Sequence, residues 1–554
     1  MKTIRTSHRA RPSRRGFRTL TALAATVALL AGCGGGDSDA GSTGSSSSDG
    51  GSITFLIDSL GSSWVPNSSS ISSFQGNVYN QIYDKLVYVD DNGEASPWIA
   101  ESWENNADYT QFTLHLKSGV TFSDGEKLDA AAVVANLDYW AKGQADKGIP
   151  SIGLFPKTYT GATAVDDTTV TVAFSEPTLG FIPTLGYAGS VLFAPKALEG
   201  SAEDQADLSK NFGSGPYVVQ SWKADDSVVL VKRDDYAWGP AAIGNTGAAH
   251  IEQITFKVNA DPAVRTAAVQ SGQADVAYNP TPQQINDLKG DGFTVYTPVY
   301  LGFTNGFALN TQVAPFDDVK VRQAVQHGID RDEILSTVYT EDWKAARSFF
   351  NDTVPGVADE SAEFAYDPDQ AAQLLAEAGY TEGADGTLTK DGQPLELTLY
   401  PNPYLGASKQ VDQLIATQLG KLGFKVSVQA YDVITYGEKI KVGAANVAAY
   451  EITRSIGDAS TAANVFTDAN SGENWFGLGQ SDQTIDELGA SIRSATDPTA
   501  RDQDLEALQK HVLEQAYFIP ITQIVQRPLL TSPKLTGLVH DSTAFAKFAA
   551  ATLD

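Results

Sequence analysis

The feature that most constrains this chain is its single cysteine, Cys33, in 554 residues. One cysteine cannot close an internal disulfide and leaves no CxxC pair for redox or zinc chemistry, so buried apolar surface has to hold the fold. The 42% of hydrophobic residues and 10% of aromatics suffice for that, and at roughly 150 residues per domain the length allows two to four domains. A wholly disordered chain is excluded.

The residues before Cys33 explain its place. Seven basic residues, Lys2 to Arg18, stand there without an acidic one, followed by an apolar run from Leu20 to Leu30 and then Leu30-Ala31-Gly32-Cys33. This is the order of a secretory signal. The 11-residue run reaches only about 16 Å as a helix, against a hydrocarbon core of roughly 30 Å, so it makes no stable membrane span. Leu-Ala-Gly-Cys resembles the bacterial lipobox, which implies that residues 1–32 are a signal peptide and that Cys33 carries lipid. Ser13-Arg14-Arg15-Gly16-Phe17 resembles a twin-arginine export motif from which Arg18 departs; that motif and a plain basic region both remain open. Between Gly34 and Ser52 the chain is almost entirely Gly, Ser, Asp and Thr, a composition with little to bury, and residues 33–52 read as a lipidated cysteine on a flexible tether.

Without the seven basic residues of the signal, 32 basic residues face 67 acidic ones, a net charge of −35. Such a body repels phosphate backbones, so a nucleic-acid partner is not expected.

Strand and helix signals alternate beyond residue 52. Period-two patterns at Phe112–Leu116, Val170–Phe174, Leu395–Leu399 and Val426–Val428 predict half-buried strands. Asp261-Pro262 and Asp367-Pro368 predict helix starts, with a carboxylate cap and proline in the first turn, and Gly272 and Gly379 predict the stops. Ala371, Leu374, Leu375 and Ala378 share one helical face, the stripe that packs against a sheet. The class is α/β or α+β with several sheets.

Catalytic signatures are missing. The chain has no GxSxG elbow, no GxxxxGK[ST] phosphate loop and no HExxH pair. Six histidines are scattered singly and read as surface or core residues, so an enzyme is not expected.

Several segments together resemble the family 5 extracellular solute-binding proteins of ABC importers, the oligopeptide, dipeptide and nickel receptors. The most specific is Asn310-x4-Pro315-Phe316-Asp317-Asp318-Val319-Lys320-Val321-Arg322-Gln323-Ala324, followed by Gly328-Ile329-Asp330-Arg331. Ile82–Val87, Pro97–Trp103, Val120–Gly125, Gly213–Tyr217, Gly272–Asp275 and Tyr366–Tyr380 follow the family's order. Most of these residues also have structural readings: Asp317 or Asp318 as a helix cap, Trp98 and Trp103 in cores, Arg322 and Arg331 in ion pairs.

The resemblance implies a two-lobed periplasmic-binding-protein type II fold with an extra inserted subdomain. Lobe one would take residues 53–80, 206–304 and 517–554, the insert 81–205, and lobe two 305–516. The implied function is capture of a peptide between closing lobes and delivery to ABC permease subunits with cytoplasmic ATPases, by a monomer held by lipid on the outer face of the cell membrane. No cofactor is implied. In peptide-binding members an acidic residue of lobe two holds the ligand's ammonium, and Asp458 in Arg454-Ser455-Ile456-Gly457-Asp458 is its best match, although an aromatic and a proline of the family pattern are absent. Arg454 would balance it or reach a ligand carboxylate. Asn474 and Trp475 match a loop near the pocket, and Phe74, Gln75 and Gly76 fall where such receptors offer a strand edge to the ligand backbone. The same fold with an oligosaccharide, a nickel chelate or another small solute is an alternative ligand reading; an extracellular hydrolase or a sensory co-receptor is an alternative of another class. No histidine lies between His327 and His511, which disfavours direct nickel ligation.

Overall fold

The computed structural model describes residues 50–61, 63–65, 75–152, 155–288, 291–440, 447–461 and 482–554. Strand Ser52–Ile57 lies at the centre of a seven-stranded sheet, parallel to Gln253–Val258 on one side and to Val276–Tyr278 on the other. Its residues alternate between faces: Ile53, Phe55 and Ile57 enter the largest core, while Leu56 packs with Val269, Ala277 and Leu530 on the opposite side. Helix Pro262–Gln270 starts where the sequence predicts, with the Asp261 carboxylate accepting from the Ala263 and Val264 N–H groups, and Gly272 turns the chain away at φ +71°.

The segment 81–205 carries a four-stranded antiparallel sheet, in the order Ala100–Asn105, Gln111–Leu116, Thr169–Phe174 and Tyr159–Asp166. The predicted alternation holds, with Phe112, Leu114, Leu116, Val170 and Val172 inward. These side chains are continuous with the core of the seven-stranded sheet, so the insert has no separate core.

Residues 301–521 build two further cores on either face of a three-stranded sheet, Ala449–Ile452, Asn305–Leu309 and Phe518–Thr522. Phe307, Leu309, Ile519 and Ile521 point to one face, and Ala308, Tyr450, Ile452 and Phe518 to the other. Phe518–Thr522, which the resemblance puts in lobe one, pairs with Asn305–Leu309. Helix Pro368–Glu377 is capped by Asp367 and lies against helix Val319–His327, with Ala371, Leu375 and Ala378 in one core with Leu395 and the strand residue Leu397.

The Asn310–Arg331 block turns out to be structural. Asp318 caps helix Val319–His327 and Asp330 caps helix Arg331–Val338. The ion pairs expected of the two arginines are replaced by carbonyl contacts. Arg322 donates to the Phe316 and Gln515 oxygens at 2.8 and 2.9 Å, and Arg331 to those of Pro520 and Phe364 at 2.6 and 2.9 Å. Carbonyls solvate the guanidinium without countering its charge, and burial brings Arg331 down to about 9. No helix among the described residues is long and apolar enough to cross a membrane.

Candidate functional site

Residues 298–303 and 523–528 carry the chain between the seven-stranded and the three-stranded sheet, and they pair with each other. Val299 bridges Val525, and the Gln526 N–H donates to the Pro298 carbonyl at 3.0 Å. Beside this ribbon lies a cavity of about 50 Å³, walled by Tyr278 and Asn279, by Tyr339, Trp343 and the Tyr404–Ala407 loop, and by Arg527. One water needs roughly 10–15 Å³ on this measure, so there is room for a few waters, and a larger solute needs the walls to part.

Rings and polar groups share the walls: Tyr278, Tyr339, Trp343 and Tyr404 stand beside Asn279, Gln526 and Arg527. Tyr339 and Trp343 stack with centroids 5.3 Å apart at 21°. Burial pushes the Tyr278 and Tyr339 phenols well above their usual value, so both stay neutral. Asn279 and Arg527 both hold left-handed backbone, at φ 52° and 55°. Asparagine tolerates that region; for an arginine the cost is on the order of 1–3 kcal/mol, and such strain gathers at ligand sites. Arg527 is held by its Nη1 bond to the Thr543 carbonyl at 2.8 Å and by the Phe545 ring, 4.0 Å below its guanidinium.

Arg454 and Asp458 lie on the segment that follows strand Ala449–Ile452. The Phe303 N–H donates to the Arg454 carbonyl at 2.9 Å, and the Ile456 N–H to the Leu301 carbonyl at 2.9 Å. Asp458 pairs with Arg501 at 3.2 Å and accepts from the Ser460 N–H at 2.9 Å. From the insert, Gly180 packs against the Asp458 carboxylate, and Thr184 lies against Gly457. Tyr300 joins the two places, packing in one cluster with Leu405 and hydrogen bonding the Thr453 hydroxyl.

Gln75 and Gly76 do not form the expected strand edge. They open helix Gly76–Ile82 and are buried, with Gln75 donating to the Ser63 carbonyl at 2.8 Å and Gly76 against the Phe545 ring. Phe74, Asn474, Trp475 and Cys33 lie outside the described residues. Among the described residues no three His, Cys, Asp or Glu side chains cluster so as to hold a metal ion.

Sequence reasoning missed the cavity. Tyr278, Tyr339, Tyr404 and Arg527 come from distant segments, and none belongs to a motif. One signal was available for Tyr404: its loop follows strand Glu396–Leu399, which pairs in parallel with Lys425–Val428, and ligands favour the carboxyl ends of parallel strands.

The family model described as "Bacterial extracellular solute-binding proteins, family 5 Middle" matches residues 94–474. Heme-binding protein A of Haemophilus influenzae is 26% identical over 508 residues, covering 87% of this chain and 89% of the relative. The dipeptide-binding protein of Escherichia coli is 27% identical over 383 residues, 65% of this chain and 68% of the relative. The crystal structure of NikA from Brucella suis in complex with Fe(III)-EDTA is similar with a TM-score of 0.77 at 24% identity, over 91% of this chain and 100% of that one; this likeness shows the two-lobed type II fold. Since the family match runs over more than half its length, the chain belongs to the family 5 bacterial extracellular solute-binding proteins.

Proposed function

We propose that this solute-binding protein captures a peptide between its lobes and hands it to an ABC permease. The observation that carries the reading is a carboxylate at the lobe junction: Asp458 of lobe two faces Gly180 of the insert, held by Arg501 and the Ser460 N–H. A peptide ammonium arriving there shares that carboxylate with Arg501 in a charge-assisted hydrogen bond, and the aromatic cavity beside the crossing takes side chains. Similarity to a dipeptide-binding protein supports the same ligand class. Closing over a ligand that touches both lobes favours the closed state by its differential affinity. The lobes we assign are residues 53–80, 206–304 and 523–554 for lobe one, with 81–205 inserted, and 305–522 for lobe two.

Mass spectrometry of small molecules released on denaturing natively purified protein tests the ligand class: a set of peptides is expected, and a single non-peptide mass overturns it. Asp458→Ala should weaken a peptide with a free amino terminus about tenfold, about 1.4 kcal/mol, and equal affinity in calorimetry removes Asp458 from the site.

A second reading, a metal chelate or haem-like solute, is favoured by the stacked Tyr339 and Trp343 and by similarity to heme-binding protein A and to NikA with Fe(III)-EDTA. Binding that survives Asp458→Ala and fails in Trp343→Ala selects it. Lipid on Cys33 would hold the protein at the membrane; Cys33→Ala should release it, and retention through a carbonate wash contradicts the anchor.

A further inference from the structure

Behind the cavity wall lies a pair of buried carboxylates that the ligand reading does not use. Glu451, on strand Ala449–Ile452, is 1% exposed, and Asp412, on helix Ser408–Lys421, is 0% exposed. Strand alternation places Glu451 on the face shared by Ala449, the face this helix covers with Val411, Ile415 and Leu419. A charge buried there needs hydrogen bonds to persist. Glu451 has them. Asn305 Nδ2 donates to its Oε1 at 2.8 Å, the Asn402 N–H donates to its Oε2 at 3.1 Å, and the Ser408 hydroxyl donates to the same Oε2. Asp412 accepts none among the described residues.

Three donors and no acceptor suit an ionised carboxylate. Asp412, without a donor, is where a shared proton rests: burial, and then the charge of Glu451, push its carboxyl up to about 9. Burial also raises Glu451, against the hydrogen bonds from Ser408, Asn305 and Asn402. Facing the pair are Tyr339, at the end of helix Arg331–Val338, and Tyr436 on helix Val433–Lys439, with Tyr404 and Tyr450 beside Tyr436. Burial, then these carboxylates, push the Tyr339 and Tyr436 phenols well above their usual value, which leaves Glu451 to take up the proton on acidification.

Asn402 and Ser408 bracket the loop that brings Tyr404, Leu405 and Gly406 into the cavity wall. Asn402 also turns that loop, its Oδ1 accepting from the Tyr404 N–H at 3.0 Å. The two ends of the loop are also bonded to each other, the Asn402 N–H donating to Ser408 Oγ at 2.7 Å, and the one carboxylate receives from both.

We propose that Glu451 is a positioning residue of the cleft: its ionised carboxylate fastens the Pro401–Ala407 loop at both ends, and protonation of Glu451 releases Tyr404 and Leu405 from the wall. The proposal rests on the solute-binding reading in treating that wall as part of the ligand site; the fastening does not depend on which solute binds. The donors from Ser408, Asn305 and Asn402 hold Glu451 below a carboxyl buried without them, so letting the loop go raises it further, the released state binds the proton more tightly, and the fastening present at high pH is lost as pH falls.

The test is hydrogen–deuterium exchange of the full chain without ligand, read over residues 400–408 and corrected for the intrinsic pH dependence of exchange. Protection of this segment should fall about tenfold between about pH 7.5 and about pH 4.5, the loss of one hydrogen bond to a charged group, while the sheet containing Gln111–Leu116 keeps its protection. Glu451→Gln should show the low value already at the higher pH and no further change with pH; Asp412→Asn, which mimics the protonated acid, should match the wild type there. A flat wild-type profile, or Glu451→Gln indistinguishable from wild type, overturns the proposal. Should Glu451→Gln fail to fold, the wild-type profile decides alone. Failure of the peptide reading appears in the released-ligand spectrum and leaves these exchange rates untouched.

Discussion

Gly180 of the insert lies so close to Asp458 of the opposite lobe that a Cβ on Gly180 would occupy the carboxylate. With Asp458 fixed by Arg501 and Ser460, the carboxylate cannot simply turn aside. Gly180→Ala should therefore push the Phe181–Thr184 helix and the 454–460 loop apart, at the about 1–3 kcal/mol that overpacking costs. The cost falls on the contact between lobes and not on either lobe's core. Small-angle scattering should show a larger radius of gyration with the thermal midpoint nearly unchanged; an unchanged radius would sink the idea.

Arg501→Met should destabilise the protein by about 2 kcal/mol, less than the about 3–5 kcal/mol for breaking a fully buried pair, because both side chains retain some exposure, 10% and 12%. The double variant with Asp458→Asn should recover most of the loss. A double-mutant cycle from denaturant unfolding measures the coupling, and additive losses would mean that the two charges do not interact.

A deeper pair should cost more. Lys85 and Asp541 meet at 2.8 Å with side chains 3% exposed. Burial alone would raise Asp541, but Lys85 and Lys547 outweigh it and hold the carboxyl far below its usual value. Asp541→Asn strands the Lys85 ammonium in the core, while Lys547 keeps Asn80 Oδ1 at 3.2 Å, for an expected loss of about 3–5 kcal/mol. Urea unfolding at neutral pH checks it, and a loss below about 1 kcal/mol would contradict the pairing.

His540 adds a pH dependence of definite sign. Burial, opposed by Asp541, lowers its imidazole to about 4 from 6.5. Between these values the unfolded chain binds the extra proton, so stability is complete above about pH 6.5 and falls as pH drops toward 4, by about 2–3 kcal/mol in all. His540→Asn should remove this part of the slope. Unfolding curves at about pH 7 and pH 5 with the same difference in both proteins would assign the slope elsewhere.

The fold was largely legible because its signals are local. Alternation at Phe112–Leu116 and the Asp261 and Asp367 caps report on neighbours in sequence, and each element stands where its own residues require it. The Gly213–Tyr217 segment is one of those that carry the family resemblance, and its reason appears in space: the Gly215 N–H donates to the Ile82 carbonyl at 3.0 Å, and a side chain on Gly213 would strike that carbonyl. The site was far less legible. Glu451 stands in Ala449-Tyr450-Glu451-Ile452, which reads as a strand with one solvent-facing acid, and only the helix laid over that face makes the acid a buried anchor. Gln75 and Gly76 misled for the converse reason: helix Gly76–Ile82 is buried along its whole length, so its polar residues carry no surface pattern.

The two chain crossings are bonded to each other, through Val299 with Val525 and Gln526 with Pro298. A pair of strands joined in this way bends across its width more readily than its members can slide past one another. On the lobe assignment proposed above, such a ribbon favours one coordinate, an opening angle, over the several available to bodies joined by independent tethers. A membrane partner that touches both lobes thus needs to gauge a single distance to tell a loaded receptor from an empty one.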